Sequence, residues 1–468
     1  MPKRNLAWIL VIAMITLLMW QLPQTIAGRD AVYRAFGPLA DAKNQIRRRF
    51  AAEVDEDALG HVAVDAGIRA MVRELGDPHA AYLDAVQYER FMNRSDGVFG
   101  GIGVDVEPTD RGLEVLNCDP GTPAADADIR PGDIIERIDG QAVAGLSLVE
   151  SEENLLNGPP GEEVALVIVR PEDPETGRRE VVIRRAIIHR EVVRGWSRDL
   201  RGRWRYLFDP AQDVAYVRLL KFTHDAPQQL DRAMDRLISD GVKGLILDLR
   251  DNTGGLLDSA REIADRFLDS GLIVRVAGRR TDEKQWSAMH EGTYPPIALA
   301  ILINGASASA SEIVAGALRD HGRAVIIGER SYGKGSVQEV VELGHDAGAI
   351  KLTTAYYFLP SGHCIHKTPE AARDRTWGVK PSVTVKMSEA QMAERRAAWR
   401  KAARTPIVPD RAATTEDADE PPVMDPIALD LCRSDAQMDA ALTQLQSMIE
   451  GPSHRGADNH GATQTTAD

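Results

Sequence analysis

Residues 305–338 read GASASASEIVAGALRDHGRAVIIGERSYGKGSVQ, and the fold turns on them. The apolar run 297–303 stops just before this stretch, and Ser307, Ser309 and Ser311 then alternate with small residues. Beyond them Ile313, Val314, Ala317 and Leu318 recur at helical spacing. The pattern is a strand, a tight turn and an amphipathic helix, with three serines as candidate nucleophiles on the turn. The helix should start near Ser309, because Glu312 three residues on completes a capping-box signature. A serine in this place is ordinarily only an N-cap. The same placement also aims the N–H of Ala310 out of the helix start, toward any oxyanion formed at Ser309 Oγ.

A nucleophile needs a base, and Lys334 follows after a second apolar run, 324–327, on a turn containing Gly333 and Gly335. If the residues beyond form a strand, Lys334, Ser336 and Gln338 share one face. Lysine is a base only when neutral, which asks for a desolvated site. The Gln338 amide oxygen would then accept from the amine and hold it toward the serine. A Ser-Lys pair is a recurring form of the hydrolytic constellation. Gly328, Gly333 and Lys334 also match the phosphate-loop pattern, but Gly335 stands where that loop needs Ser or Thr. Val337, Val340 and Val341 moreover read as a strand where a phosphate loop needs a helix. For a Ser-His pair, His321 falls about three helical turns from Ser309, and no motif places His345.

Upstream, Val214-Ala215-Tyr216-Val217 reads as a strand, 226–239 as a helix and 244–249 as a buried strand, a β/α alternation. The turn Arg250-Asp251-Asn252-Thr253-Gly254-Gly255 leads into a helix over 258–268, and paired glycines ahead of a helix let backbone N–H groups approach a ligand closely. Before this core, a strand-rich module begins near Gly97. Its glycine-rich entry, Gly100-Gly101-Ile102-Gly103, could form a nest of N–H groups for a peptide carboxylate, beside a strand edge that pairs with the peptide.

Residues 304–312 with the GKGSVQ of 333–338 resemble the C-terminal processing peptidases, also called tail-specific proteases. The resemblance covers most of the chain from about residue 30 to 387. It implies that Ser309 is the nucleophile, Lys334 the general base and Gln338 its support, and that Gly254 or Gly255 joins Ala310 in holding the oxyanion. Pro131-Gly132-Asp133-Ile134-Ile135 resembles a PDZ domain, and the resemblance assigns carboxylate binding to Gly101, Ile102 and Gly103. Arg170 sits where relatives couple peptide binding to activation, although an exposed arginine needs no such role. Leu75-Gly76-Asp77-Pro78-His79 with Tyr82 is similar to the segment preceding the PDZ domain in this family. The implied fold is multi-domain α/β, a crotonase/ClpP-like peptidase core with an inserted β-rich PDZ domain and a helical N-terminal region. A homodimer through the N-terminal helices and a regulatory adaptor are further partners of this reading. A catalytically silent PDZ scaffold and a crotonase-like acyl-thioester hydrolase are the competing functions.

The 468 residues, 43% of them hydrophobic, suffice for several domains. The net charge of −14 argues against a nucleic-acid partner. Cys118, Cys364 and Cys432 are too few and too scattered for a disulfide framework. No metal set is expected, since there is no HExxH and His363-Cys364-x-His366 is short and isolated; nor is a cofactor. A basic start, Lys3-Arg4, precedes the apolar run 6–20, which suits a signal peptide or a membrane anchor. The rest would then lie outside the cytoplasm, in the periplasm or cell envelope. We divide the chain into that segment (1–27), the N-terminal helical region (28–95), the PDZ domain (96–187), the Ser-Lys peptidase core (188–387), a helix (388–404), a linker (405–426), a C-terminal helix (427–450) and a disordered tail (451–468). Ser434 and Gln437 read as a capping box for the C-terminal helix, with Met438, Leu442, Leu445 and Ile449 on one face. The expected activity is an endopeptidase acting on proteins or peptides with free, apolar C-termini.

Overall fold

The computed structural model describes residues 36–451, apart from 96–98, 120, 147–155, 172–176, 189–190, 200–202, 210–212, 281, 345–346 and 404–434. The signal or anchor segment, the linker and the disordered tail fall wholly or mainly outside these residues. The chain divides into two units, residues 1–88 with 339–352, and residues 89–338 with 353–468.

In the first unit the helix Glu56–Glu74 is N-capped by Asp55, whose carboxylate accepts from the N–H groups of Asp57 and Ala58 at 3.0 and 2.9 Å. Gly76, at φ 65°, turns the chain out of this helix. The strand Ala81–Leu83 that follows pairs antiparallel with residues 349–351. Tyr82 fixes it by donating its hydroxyl to Asp65 (2.7 Å) and sitting 2.9 Å from the Ala347 carbonyl.

The second unit is organised on a seven-stranded sheet. Its centre is β1 (Val214–Leu219), β2 (Gly244–Asp248), β3 (Ala298–Ile303) and β4 (Val325–Gly328), all parallel. These strands are apolar almost throughout because both faces are covered. Their alternate residues part into two cores. Ala215, Val217, Leu245, Leu247, Leu299, Ile301 and Ile326 pack under the helices α1 (Ala226–Ser239), α2 (Leu257–Asp265) and α3 (Ala310–Asp320). Val214, Tyr216, Ile246, Ala300, Leu302 and Ile327 face the other way. There they meet Trp399 and Ala402 of α4 (Glu389–Ala403) and Met438, Ala441 and Leu445 of α5 (Ala436–Glu450). Burying Met438 and Leu445 contributes about 1.5–3 kcal/mol each, an upper bound for transfer from an extended chain.

The expected cap of α5 is corrected. Its N-cap is Asp435, whose carboxylate accepts from the N–H groups of Gln437 (3.1 Å) and Met438 (3.2 Å). Ser434 lies outside the described residues, and the Gln437 side chain is used elsewhere. Leu442 and Ile449 are only partly buried, and Ala441 takes the central place.

Strands Val104–Thr109, Gly112–Cys118, Ile134–Ile138, Glu163–Val169 and Arg178–Arg184 form the main path of an antiparallel sheet. Leu113, Val115, Ile135, Ile138, Val164, Leu166 and Ile168 fill its core, and Leu156 closes it.

Candidate active site

The turn after β3 sorts the three serines. Ser307 is fully buried, donates to the Leu249 carbonyl (2.8 Å) and accepts from Asn304 N–H (2.9 Å). Ser311 is equally buried and donates to the Asn252 carbonyl (2.9 Å). Both are ties between turns. Ser309, half-buried at the start of α3, has φ 55° and ψ −115°. A side chain in this region costs about 1–3 kcal/mol, strain that persists only where the surroundings impose it. A strained serine between strand and helix is the geometry of a nucleophile elbow.

What imposes the strain is Glu312. Of the expected capping box, the carboxylate half forms, with Ser309 N–H donating to Glu312 Oε2 at 2.8 Å. The same oxygen accepts from Lys334 N–H at 2.8 Å, which keeps the two nitrogens within about 6 Å of each other. Glu312 Oε1 accepts from Gly333 N–H (2.7 Å) and from the Ser331 hydroxyl (2.5 Å). Burial pushes the Glu312 carboxyl above its ordinary pKa, and these four donors pull it back. The lysine turn packs too closely for side chains at two positions. A Cβ on Gly333, at φ 94°, would meet Trp377 and Lys367, and one on Gly335 would meet the backbone of His366 at 2.3 Å.

The strand after the lysine, Ser336–Glu342, begins beyond Lys334, so Lys334 lies on the turn rather than on a shared strand face. Gln338 directs its amide nitrogen to Ser336 Oγ at 2.7 Å. No helix follows Gly335, so a phosphate loop is not formed. His321 closes the far end of α3, with its Nε2 2.7 Å from the Leu272 carbonyl. His345 is outside the described residues. Among the described residues no cluster of three or more His, Cys, Asp or Glu is placed to hold a metal ion.

The glycine turn after β2 lies against the serine. A Cβ on Gly254, at φ 101°, would come within 2.9 Å of Ser309 Cβ and 3.1 Å of Ala310 N. Gly254 N–H is already given to Asn252 Oδ1 at 2.9 Å. Gly255 bridges Phe222, with Phe222 N–H reaching Gly254 O and Leu256 N–H reaching Phe222 O. The N–H groups of Gly255 and Ala310 have no acceptor among the described residues. A spare donor at the start of α3, beside a strained serine, and a second on the glycine turn that packs against it can receive a developing negative charge.

Residues 213–385 match the model of Peptidase family S41, and residues 100–180 match that of the PDZ domain. The carboxy-terminal-processing protease of Bartonella bacilliformis is 35% identical over 348 residues, which are 73% of this chain and 75% of that protein. The chain belongs to the carboxy-terminal-processing protease family. The carboxy-terminal processing protease CtpA of Bacillus subtilis is 31% identical over 76% of this chain and 70% of its own length. Among solved structures, the photosystem II D1 C-terminal processing protease aligns with 29% identity and a TM-score of 0.43, over 76% of this chain and 91% of that one. As a carboxy-terminal-processing protease this chain has an α/β peptidase core with a PDZ domain, and it acts on proteins or peptides.

In the PDZ domain of this processing protease, Gly101 ends a strand paired with Ala186–Ile188, and the N–H groups of Ile102 and Gly103 have no acceptor among the described residues. Gly103, at φ 85°, turns tightly against Thr122. Arg170 is held within the domain, donating to both oxygens of buried Asp133 at 2.9 and 3.0 Å. Sequence reasoning saw Glu312 as a cap and missed its second role. The available signal was an acid at the third position of a helix whose first turn carries no other charge.

Proposed function

We propose that this processing protease is a serine endopeptidase working through Ser309 and Lys334. The observation that carries this reading is the single carboxylate oxygen of Glu312 that binds the backbone N–H of both residues. Lys334, as a neutral amine, takes the hydroxyl proton while Ser309 Oγ attacks the scissile carbonyl. The resulting oxyanion lies against the N–H groups of Gly255 and Ala310. Collapse passes the proton from Lys334 to the leaving amine and leaves an ester on Ser309. Water then attacks that ester, giving one proton to Lys334, and the departing Ser309 Oγ takes it back as the carboxylic acid product leaves. Gln338 supports the lysine turn through Ser336.

The substrate's free C-terminus would be received at Gly101, Ile102 and Gly103 of the PDZ domain, with an apolar last side chain. Residues 1–27, basic then apolar, support an anchor or signal and an extracytoplasmic site of action.

The test uses wild type beside Ser309→Ala and Lys334→Ala, with an unstructured protein whose C-terminus is free and apolar or amidated. Cleavage by wild type alone, reduced by amidation, is expected. A folded Ser309→Ala or Lys334→Ala that still cleaves would refute the dyad, and equal cleavage of the amidated protein would refute C-terminal recognition.

A further inference from the structure

The turn that presents Gly255 is gripped from behind by Arg395, Asp435 and Gln437, all beyond position 385, where the match to the peptidase family ends. Arg250 is fully buried and binds Asp248 on one side (Nη2 to Oδ2, 2.6 Å). On the other side its Nη1 donates to Asp435 Oδ2 at 2.7 Å and to Gln437 Oε1 at 3.1 Å. Burial raises the Asp248 carboxyl, but the guanidinium outweighs it and holds Asp248 below the ordinary carboxylate range. The next residue, Asp251, has φ 62° and is held through its Oδ2 by Arg395 Nη2 of α4 at 2.6 Å. Asn304, at the end of β3, bonds both the N–H and the carboxylate of Asp251, at 3.0 and 2.8 Å. Asn252 then fixes Gly254 N–H and accepts from Ala308 N–H (3.0 Å) on the serine turn.

Buried ion pairs of this kind are costly unless every partner is in place, and removing one partner leaves an uncompensated charge. Trp399 stacks on Tyr216, whose hydroxyl reaches Asp248, so α4 approaches the same point twice. We propose that Arg395 and Asp435 are positioning residues for catalysis, and that the α4–α5 segment sets the oxyanion turn through Asp251 and Arg250. This inference rests on the reading of Gly255 and Ala310 as oxyanion donors.

The experiment compares full-length wild type with Asp435→Asn, which keeps the helix cap and removes the charge, and with Arg395→Met and Arg395→Lys. Peptide hydrolysis gives kcat and KM, and hydrogen exchange compares residues 250–256 with the neighbouring strand 244–248. Asp435→Asn and Arg395→Met should each lower kcat about tenfold or more with KM changed less than about twofold, because the effect falls on the transition state. Exchange over 250–256 should quicken about tenfold while 244–248 keeps its protection, and Arg395→Lys should recover part of both. Wild-type kcat and unchanged exchange in both charge-removing variants would overturn the proposal. If Asp435→Asn loses cooperative melting, Arg395→Met decides, since it leaves α5 and its cap untouched. If wild type cleaves no better than Ser309→Ala, the catalytic reading has failed, and the exchange comparison still decides whether α4 and α5 hold the turn.

Discussion

Replacing Glu312 by glutamine keeps the shape of the side chain and removes its charge, at a carboxylate that takes four donors. An amide can face two of those donors with its oxygen and must face the other two with its NH2. The better orientation leaves the oxygen on Ser309 and Lys334. The NH2 then meets Ser331, whose hydroxyl can turn to accept, and Gly333, whose buried N–H is left without a partner. One orphaned buried donor costs about 1–3 kcal/mol, which corresponds to a fall in Tm of about 2–4 °C per kcal/mol for a domain of this size. Relief of the carboxylate's desolvation offsets part of that loss. Activity should suffer more than stability, because weakened hydrogen bonds let the serine and lysine turns drift apart, and a displacement of about 1 Å is enough for a loss of about 100-fold. Peptide hydrolysis with thermal unfolding on the same preparation gives both quantities. Glu312→Gln with wild-type kcat would show that this carboxylate does not set the geometry of the site. A drop in kcat that merely follows the fraction unfolded would refute the reasoning equally.

Gly254→Ala should abolish hydrolysis, because its Cβ would sit 2.8 Å from Ala308 O and 2.9 Å from Ser309 Cβ at a left-handed φ; residual cleavage above about one per cent, measured as kcat, would argue against that crowding. Ser311→Ala should keep measurable cleavage while losing about 0.5–1.5 kcal/mol of stability with its hydrogen bond to the Asn252 carbonyl, which still accepts from Ala308 N–H, whereas Ser309→Ala should lose cleavage and keep its Tm. Denaturant titrations separate the two. Asp119 is pushed up to about 6, chiefly by burial and then by Asp105 and Glu191, against Arg198 and Arg194. A carboxyl raised in the folded state contributes stability that is present below about pH 4 and is lost as pH rises through about 6. Asp119→Asn should therefore raise Tm at pH 7 and flatten its dependence between pH 4 and 6; an unchanged profile would refute the assignment.

The central strands were legible because parallel strands buried on both faces read as unbroken apolar runs, and α1 appeared at its observed bounds, Ala226–Ser239. The start of α3 at Ser309 was legible for the same local reason, an apolar helical period with an acid three residues on. What a local pattern cannot carry is a partner far along the chain. Nothing near Arg250 announces Asp435, and Gln437, which looks like half of a capping box, is drawn to Arg250 and to the Val385 carbonyl instead. Gln338 illustrates a finer limit: spacing put it on a strand face with Lys334, whereas the strand starts at Ser336 and leaves Lys334 on the turn, and the amide nitrogen donates to Ser336 Oγ. Ser309 stood apart from Ser307 and Ser311 by its place three residues before Glu312 and by the family resemblance; what the sequence could not show is that the other two hydroxyls are buried ties to the Leu249 and Asn252 carbonyls.

The face of the sheet covered by α4 and α5 also orders events in time. Ser309 and Lys334 are synthesised well before Met438, Ala441 and Leu445, so a chain emerging from the ribosome has both before Tyr216, Ile246 and Leu302 are covered. A chain interrupted before Asp435 carries Ser309 and Lys334 on a half-covered sheet, with Arg250 short of one counter-charge. Such a fragment would offer an apolar surface to chaperones and housekeeping proteases. If α4 and α5 set the oxyanion turn as proposed, covering this face of the sheet and setting the turn become one event.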